Sequence, residues 1–448
     1  MNFRHAKKRI LTALAATALL TAARAQEAPH LQLSLAEAQQ YALQHNYSLQ
    51  NASLEVKKAE AARWQTLATM LPQVTANFDY SNMLGYKMEM GVMSIEMNPY
   101  GSLGVQAAVA LTGAQVVGTM LSNLSIEMSN ISRRQSIQST YSNVKNVYVS
   151  ILVMEQTVSL LDSSLANIER LAQTTLDAVR VGAAEQVDAD KLAVQVASMQ
   201  NSINSTRRSL QMLYNSLILQ LGADVNSTLE LTTSVDELLS VDTATQLLSR
   251  NFHIENNFDY QTLQKSADAA KLQVAMAWMN YTPTLSFYYQ YSKRTYFGRD
   301  EGFNMTPPNM IGASISLPLF KSGSRMAAVR EAKIAQQETA NTIRQAEDGL
   351  RVQYKQLSYD LVSALESYVI QSKNLDVTKR VFDNMAEKYK YGRASSLELT
   401  NASTDIITAQ SNYISAVMNV VTAQVAFENL LAEEQYDDVV LPGEQKEK

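Results

Sequence analysis

The chain has 448 residues, 38 Lys and Arg against 43 Asp and Glu, 8 prolines and no cysteine. Without thiols there is no disulfide framework, thiolate metal site, cysteine nucleophile or cysteine-linked lipid anchor. Residues 1–25 read as a secretory signal; removing them takes away Arg4, Lys7, Lys8, Arg9 and Arg24 and no acid, leaving 33 basic and 43 acidic residues, a net of −10 that argues against a nucleic-acid partner.

The signal rests on that charged start, the nearly wholly apolar residues 10–20 and the cleavage triplet Ala23-Arg24-Ala25, so the mature chain is expected from Gln26. Past residue 25 there is no run of about 18 consecutive apolar residues, so no spanning helix is expected and membrane insertion must use strands. Ser34-Leu35-Ala36-Glu37 reads as a capping box opening a helix to about Met70. Leu71-Pro72 ends it, because proline lacks the N–H and disfavours helix in the residue before it.

Next, Val74, Ala76, Phe78 and Tyr80 alternate with Gln73, Thr75, Asn77 and Asp79, and Val105, Ala107, Val109 and Leu111 alternate with Gln106, Ala108 and Ala110. The loop between these runs holds Met83, Met88, Met90, Met93 and Met97; clustered thioethers suit Cu(I), but an outward methionine-rich loop accounts for them without a metal. A long helix is predicted from about Ala114 to Arg180, about 100 Å at 1.5 Å per residue. Its seam, Val144, Ile151, Val158, Leu165, Ala172 and Val179, recurs every seven residues. Gly182 turns the chain, and a second helix carries Ala189, Val196, Ile203, Leu210 and Leu217.

Residues 223–255 read as a mixed connector, after which the order repeats. A helix over about 256–280 ends at Thr282-Pro283, and Leu285, Phe287, Tyr289 and Tyr291 alternate with Thr284, Ser286, Tyr288 and Gln290. Ile311, Ala313, Ile315 and Leu317 follow in the same manner. The heptad row Tyr354, Leu361, Tyr368, Leu375, Phe382 and Tyr389 breaks at Tyr391-Gly392-Arg393 and resumes as Leu399, Ile406, Tyr413, Val420 and Phe427, beside the small row Ala402, Ala409, Ala416 and Ala423. Seams, turn glycines and strands superpose at offsets of 206–211, so residues 26–222 and 256–432 are predicted to be tandem copies of one unit, with a polar tail over 433–448.

Two apolar-and-polar strands per copy are the pattern of a transmembrane β-barrel, and also of an ordinary half-buried hairpin. The signal, the aromatics at the strand ends (Tyr80, Tyr281, Tyr291, Tyr296, Phe297) and the two in-register copies favour the barrel. Four strands cannot close one, because an open edge in lipid leaves backbone groups unpaired, so further chains must supply strands.

At this point the chain resembles the TolC-like outer-membrane efflux proteins over nearly all of its mature length. The likeness is carried by Ser34-Leu35-Ala36-Glu37-Ala38, Leu71-Pro72-Gln73, Thr282-Pro283-Thr284, Leu317-Pro318-Leu319-Phe320 with Gly323, and the turns Val181-Gly182 and Tyr391-Gly392, followed by Val187-Asp188 and Leu397-Glu398. One departure is Leu111-Thr112-Gly113, without the proline that Pro318 supplies in the second half. The resemblance implies an α+β membrane protein of a Gram-negative outer membrane. It would be a homotrimer whose 12-stranded antiparallel β-barrel, four strands per chain, continues into a long coiled-coil periplasmic tunnel. It also implies a periplasmic adaptor and an inner-membrane pump as partners, outer-membrane lipid around the barrel, and export of small molecules or proteins.

The same resemblance places acidic residues just past the turns around a closed periplasmic aperture. The sixth residue after each turn glycine is Asp188 and Glu398; the ninth is Lys191 and Asn401. Pro72, Pro283, Pro318 and Gly323 would mark barrel-to-helix junctions. Asn46-Tyr47 and Asn257-Phe258 occupy equivalent places and read as structural, and Arg393 as a lock, a docking residue or a plain surface charge. No catalytic triad, phosphate loop, ATPase motif, metal set or cofactor site is legible; the histidines (His5, His30, His45, His253) have no ligand spacing. Other readings are a secreted coiled-coil structural protein and the periplasmic adaptor itself.

Overall fold

A computed structural model describes residues 30–91, 93–234, 241–297 and 307–442. The predicted signal lies outside them. The elements in chain order are β1 (His30–Leu33), α1 (Leu35–His45), α2 (Tyr47–Ala68), β2 (Gln73–Ser81), β3 (Lys87–Met90), β4 (Met93–Glu96), β5 (Tyr100–Leu111), α3 (Gly113–Arg180) and α4 (Gln186–Leu221). Then come β6 (Thr228–Leu231), α5 (Val241–Leu248), a 3-10 turn (Ile254–Asn256), α6 (Phe258–Met279), β7 (Thr284–Tyr296), β8 (Asn309–Ser316), α7 (Ser324–Lys390) and α8 (Ser396–Leu431). The long helices have 68 and 67 residues and their return helices 36 each. The chain divides into two compact units.

One unit comprises Asn51–Gln135 and His253–Val352. Its sheet has the order β2-β5-β7-β8, every neighbour antiparallel. The strands run further than the alternating runs alone suggested, because β7 stays paired through Tyr296 and β5 starts at Tyr100. The methionine-rich loop folds on itself as the hairpin β3–β4, with Met88 opposite Ile95. Beside the sheet, α3 packs on α6 through Lys265 with Glu127 and through Arg134 over the Phe258 ring.

The other unit comprises Met1–Gln50, Ser136–Phe252 and Gln353–Lys448. Here the heptad rows pack as predicted: Val144, Ile151, Leu165, Leu361, Phe382, Leu399, Ile406, Phe427 and the small residues Ala402, Ala409 and Ala416 are all buried. The stretches of α3 and α8 that are apolar enough to cross a bilayer by composition are instead 44% and 50% buried against protein.

Three details in this unit differ from the sequence reading. The first helix is two, because Asn46 leaves the helical conformation (φ −65°, ψ 124°) and its Oδ1 accepts from Ser48 N at 2.8 Å, capping α2. The connector contains β6, which pairs in parallel with β1, His30 opposite Thr228. The buried Tyr148 fastens that ladder to α3: its hydroxyl donates to Leu33 O (2.9 Å) and accepts from Thr233 N (3.2 Å). The tail is not wholly solvated. Leu441 is buried against Leu49 and Ile137, and Tyr436 stacks on Tyr141 at 5.6 Å, so its sparse apolar residues form a latch among acids. Burial pushes both tyrosine hydroxyls above their ordinary pKa.

Candidate functional site: the strand sheet and the hairpin tips

The sheet is built so that its register keeps chemistry in rows. Val74, Ala107, Tyr289 and Ile311 are cross-strand neighbours, as are Leu111, Leu285 and Ile315. The next row over presents the opposite face: Thr75, Gln106 and Gln290, with Met310 at its β8 end. A slip of one residue in any strand would mix the two faces, so agreement across three pairings is a strong constraint. The apolar face is uncovered, with Phe78 79% and Ile311 83% exposed. In water that face would be costly; in lipid it is the expected wall, with the polar face toward a lumen.

Aromatic rings collect at one end of the sheet on both faces: Tyr80 lies 6.0 Å from Phe297 on the apolar face, where amphipathic rings suit a membrane interface, and Tyr100 lies 5.7 Å from Tyr296 on the polar face. Among the described residues β2 and β8 each have one pairing partner, so both outer edges of the sheet are open. Pro72 and Pro283 sit immediately before β2 and β7, where their rings end the preceding helix without removing a ladder donor. Pro318 lies between β8 and α7, and the chain then turns through left-handed Ser322 (φ 45°) and Gly323 (φ 80°). The first half reaches α3 directly after Thr112, so the missing proline corresponds to a shorter junction.

At the tips, Gly182 (φ 74°) and Gly392 (φ 67°) end α3 and α7 in the same way. Ala183 N donates to Ala178 O and Arg393 N to Lys388 O, both at 2.8 Å, the long bond of a Schellman turn. The helices that follow begin differently. At α8, Ser395 caps the helix and Glu398 closes a capping box, its Oε2 accepting from Ser395 N at 2.7 Å and Oγ at 2.9 Å. The backbone bond from Ser395, then its side-chain bond, hold the Glu398 carboxyl below its ordinary pKa. At α4 the cap position is Glu185, which makes no side-chain cap bond.

Asp188, equivalent to Glu398, instead accepts from Ser396 Oγ of the other hairpin, with Lys191 Nζ at 3.8 Å. Asn401 is exposed on α8. Two further links join the hairpins: Gln195 Nε2 donates to Ser403 Oγ (3.2 Å), and Thr175 shares a 2.9 Å bond with the Tyr389 hydroxyl. Ser396, Ser403 and Gln410 form a buried polar row every seven residues along α8, and Gln410 finds no partner for either amide atom among the described residues. Sequence reasoning named Asp188 and Glu398 but not this row. Its signal is present, as polar residues at heptad spacing within an otherwise apolar helix.

Arg393 is exposed, and its backbone N–H belongs to the turn. Asn46 and Asn257 are helix caps, Asn257 Oδ1 accepting from Tyr260 N at 3.1 Å. Met83 and Met88 are exposed.

A profile of the outer membrane efflux protein family matches residues 38–223 and 252–433. No curated protein matches by sequence. Several solved structures share the fold. CusC, in a structure describing transmembrane channel formation, superposes with TM-score 0.72 at 17% identity, covering 91% of this chain and 95% of that one. The outer membrane protein VceC of Vibrio cholerae gives 0.68 at 16%, covering 89% and 96%. The open state of the Neisseria gonorrhoeae MtrE outer membrane channel gives 0.70 at 18%, covering 89% and 88%. With its two-faced sheet, its two long helical hairpins and a family profile spanning most of its length, this chain belongs to the outer membrane efflux protein family.

Proposed function

We propose that three copies of the chain close their sheets into one twelve-stranded barrel, and their hairpins into a twelve-helix tunnel, to make the passive exit duct of a tripartite efflux or type I secretion assembly. The observation that carries this is the sheet: a mainly apolar face, a mainly polar face and two open edges among the described residues. β8 runs opposite to β2, so the edges of neighbouring copies meet antiparallel, and closure removes every unpaired backbone group from lipid. The twofold order of elements supports residues 26–222 and 256–432 as tandem copies joined by 223–255. The energy source lies in a partner: a periplasmic adaptor and an inner-membrane pump engage the tunnel end.

In this reading the tips form the periplasmic aperture, with Asp188, Glu398 and Asn401 near its rim. Lys191 offsets Asp188 locally, so Glu398 carries most of the cation preference. The test is native mass in mild detergent together with single-channel recording in a planar bilayer. A trimer that conducts is expected, with Glu398→Gln lowering cation over anion permeability. Single chains that never conduct would end the proposal, and unchanged selectivity in Glu398→Gln would remove that residue from the rim.

A further inference from the structure

Within the chain, the first turns of α3 run between two short helices. On one side lies α2 of the same half: Gln115 Nε2 donates to Thr69 O (3.1 Å) and Ser122 Oγ to Thr66 Oγ1 (3.2 Å). On the other lies α6 of the opposite half. Gly113 packs so closely there that an added Cβ would stand 2.6 Å from Met279 Sδ and 2.9 Å from Thr282 Oγ1. Further along, Arg134 lies over the Phe258 ring (5.5 Å to its centre) and its Nη2 donates to Gln261 Oε1 at 3.1 Å.

α7 has only the first of these neighbours. Arg325 lies over the Tyr281 ring at 4.8 Å, the place that Gln115 and Thr69 take in the other half. Its second flank is bare among the described residues. A Cβ on Gly323 would meet nothing within 4 Å, and Ile334 is 48% exposed where its counterpart Leu124 is 8%. Arg344, the counterpart of Arg134, is exposed and makes no hydrogen bond or ion pair among the described residues.

The missing side of this contact exists at the start of α2. Asn46-Tyr47-Ser48-Leu49-Gln50 aligns with Asn257-Phe258-Asp259-Tyr260-Gln261, and the local geometry is the same. Each asparagine caps its helix, and Gln50 Nε2 reaches His45 O (3.4 Å) as Gln261 Nε2 reaches Asn256 O (3.3 Å). Phe258 is 2% exposed beneath its arginine, whereas Tyr47 is 67% exposed with no cation over it among the described residues. An aromatic face and an amide oxygen thus stand ready for a guanidinium that the same chain does not bring.

We propose that Arg344 of one copy seats on Tyr47 and Gln50 of a second copy, repeating between chains the contact that Arg134 makes with Phe258 and Gln261 inside one. Ala68 and Leu71 of the second copy then close over Gly323, as Met279 and Thr282 close over Gly113. A guanidinium that stacks on a ring and bonds an amide fixes orientation as well as proximity, which a closed ring of copies requires. The proposal rests on the trimeric reading above and names residues that join its members.

Because the chain has no cysteine, Tyr47→Cys with Arg344→Cys in the full-length protein introduces the only two thiols. A short bis-maleimide applied to purified membranes should give a covalent ladder ending at three chains. Phe258→Cys with Arg134→Cys should instead link within one chain. Native mass is measured on the same samples. Trimers that yield only single-chain products, or adducts with another protein, overturn the contact and leave the trimer standing; single chains throughout overturn the trimeric reading and the contact with it. Independently, Arg344→Ala should raise the concentration at which trimers dissociate on dilution about tenfold, with Arg344→Lys falling between. An unchanged midpoint in Arg344→Ala refutes the assignment.

Discussion

The two hairpin tips share a backbone and differ in their carboxylates. Gly182 and Gly392 both turn the chain in the left-handed region, and both are followed by the same long bond to the preceding helix. Yet Glu398 turns back on Ser395 of its own helix, while Asp188, with no serine cap to engage, reaches across to Ser396. The difference teaches that position after a turn does not decide a side chain's work. One carboxylate closes a cap on its own helix; the other is held by the neighbouring hairpin.

The sharpest test of the shared part is valine at each turn glycine. Nothing crowds a Cβ at either site, so the cost is conformational alone, about 2 kcal/mol for a β-branched residue at positive φ. Equal losses of thermal stability in Gly182→Val and Gly392→Val are expected, and a clear inequality would break the equivalence of the turns. Next, Ser396→Ala removes the hydroxyl that reaches Asp188. A bond to a partly exposed carboxylate predicts a loss of about 1–1.5 kcal/mol. Asp188→Ala should cost about the same, and the double variant little more. Additive losses would mean that the two residues do not act as a pair.

The smallest effect sharpens the contrast. Ser395→Ala should cost about 1 kcal/mol or less, read as faster amide exchange in the first turn of α8, with α4 unchanged. The pH dependence has a definite sign. Glu398 is held below its ordinary pKa, so its contribution is complete above the usual carboxylate range and is lost as pH falls through the depressed value. Protection of the first turn of α8 should therefore decline in acid more than that of α4. Equal decline would show that the box adds nothing.

Much of this arrangement was legible in the residues because it is periodic. Alternation over 74–80, 105–111, 285–291 and 311–317 marked the strand faces, and heptads marked the hairpins, since each pattern repeats often enough to outweigh single exceptions. What escaped was short or distant. β1 and β6 have four residues each and lie 198 positions apart, so neither announces its partner. Asn46 breaks a helix without proline or glycine, through a side chain that competes for backbone donors. The latch of Tyr436 and Leu441 rests on isolated apolar residues among acids. At the tips, the glycines were readable from sequence, whereas the choice of Asp188 between its own helix and its neighbour depended on Glu185 failing as a cap.

The parallel ladder of His30–Leu33 with Thr228–Leu231, clamped by Tyr148, carries a consequence for how the chain matures. Residues 30–33 are among the last to find their place, since their mate follows almost two hundred residues later. Closing so wide a loop is slow, and until it happens an exposed strand edge is available to strangers. The ladder therefore closes only after the long hairpin that lies between its two strands has taken shape.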